Sequence, residues 1–281
     1  MSITINNIPD IWGANGLRCL NSFTKYPSIQ TYHKINSGIL NENLTDDMHF
    51  DKNEKIYITE KIDGTNSRII VFNGDYIIGS REELLYHKDD MFGNPSQSIV
   101  DTVKPIAEDI CRKIAHNDKM YVFYGETYGS NINGFKHYTS HKTAGFRFFD
   151  ITITDMSEED AERIFNMSLD SISSWREHGG QHFVSVDVFH KILDDLGFPK
   201  DARVPYIRED IGGNIPVSLD EVYFWLKEFE STNAVLDDDF ERIGGRGRAE
   251  GVVVRNSDRS KIRKIRFEDY EKTFRKNGIK K

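Results

Sequence analysis

Lys61-Ile62-Asp63-Gly64 combine a nucleophile, a carboxylate and a conformationally free residue at the end of an apolar, alternating run. A lysine amine attacks an electrophile only when it is deprotonated, a state that burial or a neighbouring cation favours. The glycine that follows lets a ligand approach the backbone closely. The pattern indicates covalent catalysis by Lys61, although so short a motif also arises by chance.

Further short motifs follow in order along the chain. Gly79-Ser80-Arg81 comes after a strand-like run, and the others are Gly125-Glu126, Phe148-Phe149-Asp150-Ile151, Glu250-Gly251 and Lys264-Ile265-Arg266. Singly, each has an ordinary interpretation: a core phenylalanine, an exposed acid at a strand end, or half of a solvated basic face. Their combination in this order carries the functional interpretation.

The series resembles the covalent nucleotidyltransferase superfamily of ATP-dependent DNA ligases, RNA ligases and mRNA capping enzymes. Within it, the sequence is most similar to the nick-sealing RNA ligases of the RNA ligase 2 type. The stretches that carry this resemblance are EKIDGTN at 60–66, VFYGETYG at 122–129, FRFFDI at 146–151 and EGVVVR at 250–255. KYPSI at 25–29 resembles the N-terminal lead-in of that family.

The resemblance implies a role for each matching residue. Lys61 would attack the α-phosphate of ATP, Lys264 would bind that phosphate, and Asp63 would orient the leaving group. Glu250 would bind Mg²⁺ or Mn²⁺, and Asp63 would bind the same ion through water. The other matching positions would bind the nucleotide or the adenylated 5′ end: Glu60, Asn66, Arg81, Glu126 at the ribose, Phe149 stacked on adenine, and Arg266.

The implied function is ATP-dependent joining of RNA ends. It would pass through lysyl–AMP, then an adenylated 5′-phosphate, then phosphodiester formation with a 3′-hydroxyl. A DNA ligase or a capping guanylyltransferase is the alternative within the superfamily, and the expected lack of an OB domain counts against both. A non-catalytic protein that binds nucleic-acid ends is the alternative of another class; the retained Lys61, Glu126 and Glu250 argue against it.

The last motif departs from the usual Lys-x-Lys of the family, because arginine occupies its second lysine position. Two registers fit, Lys261-Ile262-Arg263 and Lys264-Ile265-Arg266, and we favour Lys264 because RFEDYEK after it resembles the end of the domain. Only about fifteen residues follow. We therefore expect a near-minimal catalytic domain that acts on RNA ends, among them nicked duplexes, and for which a partner protein could supply a C-terminal domain.

Hydrophobic periodicity indicates the elements that position these residues. Strands are predicted at 55–61, 120–129, 145–152, 250–255 and 261–267, with a hairpin through Asn73-Gly74-Asp75. Apolar residues between Ser98 and Ala115 recur at helical spacing, and Pro105 within this stretch is predicted to mark the start of the helix. Ser157, Gly197 and Ser218 are predicted helix caps. We predict an α+β nucleotidyltransferase fold, ATP-grasp-like, with antiparallel sheets around an ATP cleft and no OB domain. Residues 1–54, which look irregular, would be a lead-in segment of the same domain, and 55–281 the adenylation domain with a helical elaboration at about 155–245.

Composition limits the other possibilities. The 281 residues are 38% hydrophobic, and no apolar run is long enough for a membrane span, so no membrane partner is expected. The only cysteines, Cys19 and Cys111, exclude a disulfide scaffold, and a cytoplasmic protein is therefore expected. Although the net charge is −8, residues 242–281 form a basic segment that contains 14 Lys and Arg residues but only 5 Asp and Glu residues. That segment is either a solvated tail or a phosphate-facing surface. The histidine pairs His137/His141 and His178/His182 are expected to lie on the surface rather than to bind metal.

Overall fold

Antiparallel sheets form the framework of the protein in a computed structural model that describes residues 8–45, 49–87, 90–91, 93, 98–115, 117–132, 134–141, 143–237 and 247–278. In chain order, the elements are α1 Ile8–Thr24, β1 His33–Asn36, β2 Ile39–Leu44, β3 Lys55–Lys61, β4 Thr65–Phe72, β5 Asp75–Ser80, β6 Leu84–His87, β7 Asp90–Met91, α2 Ile99–Lys113, β8 Lys119–Gly129, β9 Ala144–Asp155, α3 Glu158–Phe165, α4 Leu169–Glu177, α5 Val186–Asp195, β10 Tyr206–Ile211, α6 Leu219–Leu226, β11 Gly251–Asn256, β12 Ile262–Arg266 and α7 Phe267–Lys276.

These elements form two compact units, each built from separate stretches of the chain. Unit 1 consists of Met1–Ser28, Thr65–Thr127 and Ala144–Ala202, and unit 2 consists of Ile29–Gly64, Tyr128–Thr143 and Arg203–Lys281. The chain passes from unit 2 into unit 1 between β3 and β4. The residues matched to the ligase motifs are therefore divided between the two units.

Unit 1 is a six-stranded sheet of order β7-β6-β5-β4-β8-β9 with helices on both faces. Ile69, Val71 and Phe123 pack on one face with residues of α2 and α5. Ile70, Phe72 and Val122 pack on the other face with residues of α1, α3 and α4. Burial on both sides explains the nearly continuous apolar run of β4, the first strand of the predicted hairpin.

Unit 2 contains a four-stranded sheet of order β10-β3-β11-β12 and the hairpin β1–β2. Ile56 and Ile58 of β3, together with Val252 and Val254 of β11, face a core shared with α6 and α7. The strand β10, YIREDI, was not predicted; it pairs antiparallel with β3 and is partly exposed along its length. Residues 155–245 thus contribute a strand as well as helices.

The predicted strands and caps are confirmed. The hairpin between β4 and β5 turns through Asn73 and Gly74, both with positive φ, the conformation that a two-residue hairpin requires. Ser157 and Ser218 cap α3 and α6 by accepting hydrogen bonds from the backbone N–H of Asp160 and Glu221. Gly197 follows α5 with φ 76°. In the described part of the chain, no helix is long and apolar enough to cross a bilayer.

Pro105 does not begin a helix, so that prediction is wrong. It lies inside α2, which starts at Ile99. The side chain of Pro105 is exposed, while Val103, Ala107 and Ile110 pack against the sheet of unit 1. A proline removes one backbone hydrogen bond, but on the solvent side water can bind the carbonyl group that is left without its partner.

The expectation that residues 1–54 are irregular is also wrong. Residues 8–24 form α1, whose Leu20 and Phe23 are buried in unit 1. Residues 33–44 form the hairpin β1–β2, which turns through Ser37 and Gly38 with φ 51° and 77°. The many Asn, Gly and Ser residues here weaken local propensity, and packing against the rest of each unit overrides it.

We expect stability to depend on pH through His33, which is buried in unit 2. Its Nδ1 is 2.7 Å from Tyr270 Oη and its Nε2 is 2.8 Å from the carbonyl oxygen of Val217. Burial lowers the pKa of His33 below its ordinary value, although the bond to Val217 and the charge of Glu42 oppose this. The unfolded chain therefore binds a proton before the folded protein does, and the free energy of unfolding decreases as the pH falls from about 6.5 through the folded-state pKa.

Urea denaturation at several values between roughly pH 5 and pH 8 measures this dependence. In His33→Gln the decrease should be smaller than in the wild type. His141→Gln is the matched control, because His141 is exposed and should leave the dependence unchanged. The same decrease in His33→Gln as in the wild type would contradict the prediction.

Candidate active site

Lys61 is the last residue of β3, and strand pairing places two motif residues beside it. Gly251 of β11 lies opposite Lys61, and Arg266 of β12 lies opposite Gly251. Directly paired residues of antiparallel strands direct their side chains to the same face of the sheet. Lys61 and Arg266 therefore share one face of the four-stranded sheet in unit 2, with Gly251 between them.

Glu250 binds both of these cations. Its Oε2 is 2.5 Å from Lys61 Nζ, and its Oε1 is 3.5 Å from Arg266 Nη1. Arg266 also forms a bidentate pair with Asp269, with distances of 2.9 Å from Nε and 2.8 Å from Nη2. The side chains of Lys61 and Glu250 are 24% and 17% exposed, so a ligand can reach them.

Gly251 cannot be replaced without moving the backbone. Its φ is +154°, and a Cβ atom there would lie 2.0 Å from the carbonyl oxygen of Ile265. The glycine allows β11 and β12 to pair closely at this point. It also leaves no side chain between Lys61 and Arg266.

Strand geometry favours Lys264 over Lys261 as the first residue of the last motif. Lys264 and Thr59 both lie opposite Val253, so Lys264 shares the face of Lys61. Lys261 is three positions away and, by alternation, directs its side chain to the other face. Its Nζ is 3.0 Å from Asp51 Oδ2 and 2.8 Å from Glu54 Oε2.

Asp63 lies just beyond β3, against the segment that follows β8. Its backbone N–H donates to Tyr138 Oη at 2.6 Å. A Cβ atom at Gly134 would lie 2.4 Å from Asp63 Oδ2. Burial and, secondarily, the negative charge of Glu250 raise the pKa of the Asp63 carboxyl group, while Lys61 and His137 lower it.

Glu60 lies on the opposite face of β3 from Lys61 and is only 2% exposed. Its Oε1 accepts from the hydroxyl of Thr232, and its Oε2 accepts from the N–H of Asn233 at 2.6 Å. These contacts connect Glu60 to residues 232–233 of unit 2. They give it a role in holding that segment, and nucleotide contact by Glu60 stays a prediction.

Unit 1 brings two of its predicted residues together. Asn66 on β4 and Glu126 on β8 are directly opposite each other and share a face of the six-stranded sheet. Glu126 is partly exposed, whereas its neighbours Gly125 and Thr127 are buried. The Asn66 Oδ1 atom is buried and accepts no hydrogen bond from the described residues.

Phe149 packs against a tyrosine from the KYPSI stretch. The rings of Tyr26 and Phe149 meet edge to face at 5.0 Å, and Tyr26 Oη donates to Asp150 Oδ2 at 2.7 Å. The same stretch meets Arg81, whose Nη2 is 3.2 Å from Ser28 Oγ and whose side chain is 57% exposed. The resemblance of KYPSI to the family's lead-in implied no role for Tyr26 or Ser28.

His137 and Tyr138 were missed as site residues. His137 Nδ1 accepts a hydrogen bond from the N–H of Arg248 at 3.0 Å, and Tyr138 accepts the one from Asp63. Both residues bind backbone groups, which every residue except proline offers, so no motif pointed to them. His141, His178 and His182 are exposed.

The described part of the basic segment is not one free cationic face. Arg255 and Arg263 are buried, and Arg248 is paired with Glu230 at 3.1 Å and with Glu271. Exposed cations remain on α7, at Lys272, Arg275 and Lys276. Arg242 and Arg246 lie outside the described residues.

The residues present fit the groups that the resemblance implies. In unit 1, the buried Asn66 Oδ1 is an acceptor for which the described residues supply no donor, and Glu126 suits the hydroxyl groups of a ribose. In unit 2, the carboxylates of Asp63 and Glu250 are hard oxygen donors of the kind that Mg²⁺ and Mn²⁺ prefer. No group of three His, Cys, Asp or Glu side chains suited to a metal occurs in the described ranges. Magnesium often binds through one or two carboxylates together with substrate phosphates, which agrees with this set.

Comparison with known proteins gives a consistent result. The model of the RNA ligase family matches residues 54–270. A mutant of Naegleria gruberi RNA ligase solved with ATP and Mn is 14% identical, with a TM-score of 0.52 over 90% of this chain and 62% of that chain. A second mutant of that ligase, without ligand, is 14% identical, with a TM-score of 0.51 over 88% and 63% of the two chains.

A third mutant of the same ligase, solved with AMP and Mn, is 13% identical, with a TM-score of 0.50 over 88% of this chain and 63% of that chain. The present chain thus spans less than two thirds of the length of these ligases. No curated protein gives a significant match. The structural likeness confirms the predicted α+β nucleotidyltransferase fold.

Proposed function

This chain belongs to the RNA ligase family, and on that premise we propose that it is an ATP-dependent RNA ligase that acts through a lysyl–AMP intermediate. The observation that carries the proposal is the placement of Lys61. Its ammonium group contacts Glu250 on the sheet face that also holds Lys264 and Arg266. A nucleophile beside further cations is suited to attack on a phosphate.

In the first step, Lys61 Nζ releases a proton to solvent and attacks the α-phosphorus of ATP. A nitrogen–phosphorus bond forms, the bond from that phosphorus to the oxygen of the β-phosphate breaks, and pyrophosphate leaves. Lys264 and Arg266 offset the negative charge that accumulates on the phosphate oxygens. Asp63 and Glu250 would hold a divalent cation, which supplies charge neutralisation when bound.

Adenosine recognition is proposed for unit 1. Glu126 accepts hydrogen bonds from the ribose. Asn66 Oδ1, which is buried and has no donor among the described residues, accepts a hydrogen bond from the nucleotide. Phe149 stacks on adenine. The edge-to-face contact with Tyr26 supports this role, since it fixes the plane of the Phe149 ring.

The second and third steps transfer AMP to an RNA 5′-phosphate and then displace it with a 3′-hydroxyl. The exposed Arg81 is proposed to bind the adenylated 5′ end. Nicked duplex RNA is the proposed form of the substrate, on the strength of the resemblance to nick-sealing ligases. A partner protein that contributes to RNA binding stays a prediction.

The experiment is incubation with ATP, GTP or NAD⁺, each labelled on the phosphate that would be transferred, together with Mg²⁺ or Mn²⁺, followed by denaturation. We expect an acid-labile label on the protein from ATP alone, and sealing of nicked RNA in preference to nicked DNA. Label from GTP would favour a capping guanylyltransferase, and preference for nicked DNA would favour a DNA ligase. No label from any nucleotide would leave a protein that binds nucleic-acid ends.

A further inference from the structure

The chain between Gly134 and Tyr138, here called the bridging segment, binds the backbone near Lys61 and the backbone near Glu250. At one end, Tyr138 Oη accepts the backbone N–H of Asp63, two residues after Lys61. Next to it, His137 Nδ1 accepts the backbone N–H of Arg248, two residues before Glu250. All of these residues belong to unit 2.

The bridging segment fits closely against both partners. A Cβ atom at Gly134, where φ is +77°, would lie 2.4 Å from Asp63 Oδ2, and a Cβ atom at Gly247 would lie 2.1 Å from His137 Cα. Phe135–His137 form a 3₁₀ turn, in which the N–H of His137 donates to the carbonyl oxygen of Gly134 at 2.9 Å. Gly134 thus leaves room for the Asp63 carboxylate, and Gly247 permits close approach to the backbone of His137.

The bridging segment and the residues that follow it are also held by hydrogen bonds to Leu236 and Asp237. The carbonyl oxygen of Tyr138 accepts from the N–H of Leu236 at 2.8 Å. Asp237 Oδ2 accepts from Thr139 Oγ1 at 2.5 Å and from the N–H of Ser140 at 2.8 Å. Tyr138 itself is fully buried, in edge-to-face contact with Tyr128. The bridging segment therefore has little freedom to shift.

We propose that His137 and Tyr138 are positioning residues for lysine adenylylation, which hold the Lys61–Asp63 turn at a fixed place relative to Glu250. The inference rests on the proposed function. His137 acts through Nδ1 toward the backbone of Arg248, and Tyr138 acts through Oη toward the backbone of Asp63. Loss of either bond leaves the Lys61–Glu250 contact less well defined, which slows attack on the α-phosphorus.

The geometry predicts which substitution of His137 is tolerated. Asparagine places its amide oxygen near the position of Nδ1, whereas glutamine places its oxygen near that of Nε2. We expect His137→Asn to form lysyl–AMP within about twofold of the wild-type rate and His137→Gln to be about tenfold slower, as for one lost positioning hydrogen bond. Tyr138→Phe should likewise be about tenfold slower.

A second measurement does not depend on catalysis. Hydrogen exchange of backbone amides in the ATP-free protein should show faster exchange at Arg248 in His137→Gln, but not in His137→Asn. In Tyr138→Phe, the Asp63 amide should exchange faster. His141→Gln, on the exposed side of the same loop, is the control and should leave exchange and labelling unchanged.

Equal labelling by wild type, His137→Asn and His137→Gln would overturn the inference, as would unchanged exchange at Arg248 in His137→Gln. Activity retained only by His137→Gln would also overturn it, because that pattern indicates a role for Nε2. Labelling of the wild type by ATP is scored separately, so failure of the proposed function is distinguished from failure of this inference. The His137 pair keeps the test decisive even if Tyr138→Phe does not fold.

Discussion

Replacing Lys61 by alanine is expected to abolish lysyl–AMP formation, with a loss of at least about a thousandfold. The variant has no amine at the end of β3 to form the bond to phosphorus. The negative charge of Glu250 also loses the partner that lies 2.5 Å away. Covalent label from α-labelled ATP, resolved on a denaturing gel, measures the effect directly.

Lys61→Arg separates the two roles of this side chain. It keeps a cation that can pair with Glu250, but a guanidinium group is not a nucleophile at neutral pH. It should therefore be as inactive in labelling as Lys61→Ala. Lys55→Ala is the matched control on the same strand, because Lys55 is exposed and paired with Glu209 at 2.7 Å, and it should label normally.

Both Lys61 variants should still seal RNA that carries a chemically adenylated 5′ end, because that substrate bypasses the lysine. Label on Lys61→Ala at the wild-type level would show that another residue is the nucleophile. Failure of the variants on the adenylated RNA, with wild-type success, would give Lys61 a role beyond the first step.

The sequence was sufficient to predict the strands that carry the site and the family to which the chain belongs. β3 and β11 match their predicted spans closely, because apolar residues buried in sheets leave a clear pattern. The motif residues lie at or near the ends of these strands, which is why their types and order were informative. These strands could be predicted because the apolar pattern of each strand and the motif at its end lie in the same short stretch of sequence.

Strand pairing could not be predicted. Lys61 and Gly251 are opposite each other although far apart in sequence, and the register between them depends on contacts that no local pattern encodes. β10 was missed because an edge strand with polar residues lacks the apolar signal. α1 was missed because packing, rather than helix propensity, stabilises it.

Contacts to backbone groups escaped prediction for a different reason. His137 and Tyr138 bind the N–H groups of Arg248 and Asp63, and those groups carry no sequence information. Glu60 was assigned to the nucleotide from the resemblance, and that role stays a prediction. Its hydrogen bonds with Thr232 and Asn233 could not be predicted, because the motif does not encode which residues of unit 2 lie beside it.

Lys264→Ala is expected to slow lysyl–AMP formation by at least about a hundredfold, whereas Lys261→Ala should stay within about threefold of the wild type. Lys264 lies on the sheet face of Lys61, where a cation can stabilise the charge that develops on the α-phosphate. Lys261 is directed away, toward Asp51 and Glu54. Rates of covalent labelling at saturating ATP compare the two variants directly.

The expected cost of Lys261→Ala is in stability instead. Its ion pairs with Asp51 and Glu54 are partly exposed, so the free energy of unfolding should fall by no more than about 1 kcal/mol. Lys264→Arg keeps the positive charge and should recover part of the lost activity, because the requirement at this position is charge toward the phosphate. The reverse order, with Lys261→Ala inactive and Lys264→Ala active, would move the last motif by three residues. It would also mean that the face shared with Lys61 is not the one that binds the phosphate, because Lys261 reaches the opposite side of the sheet.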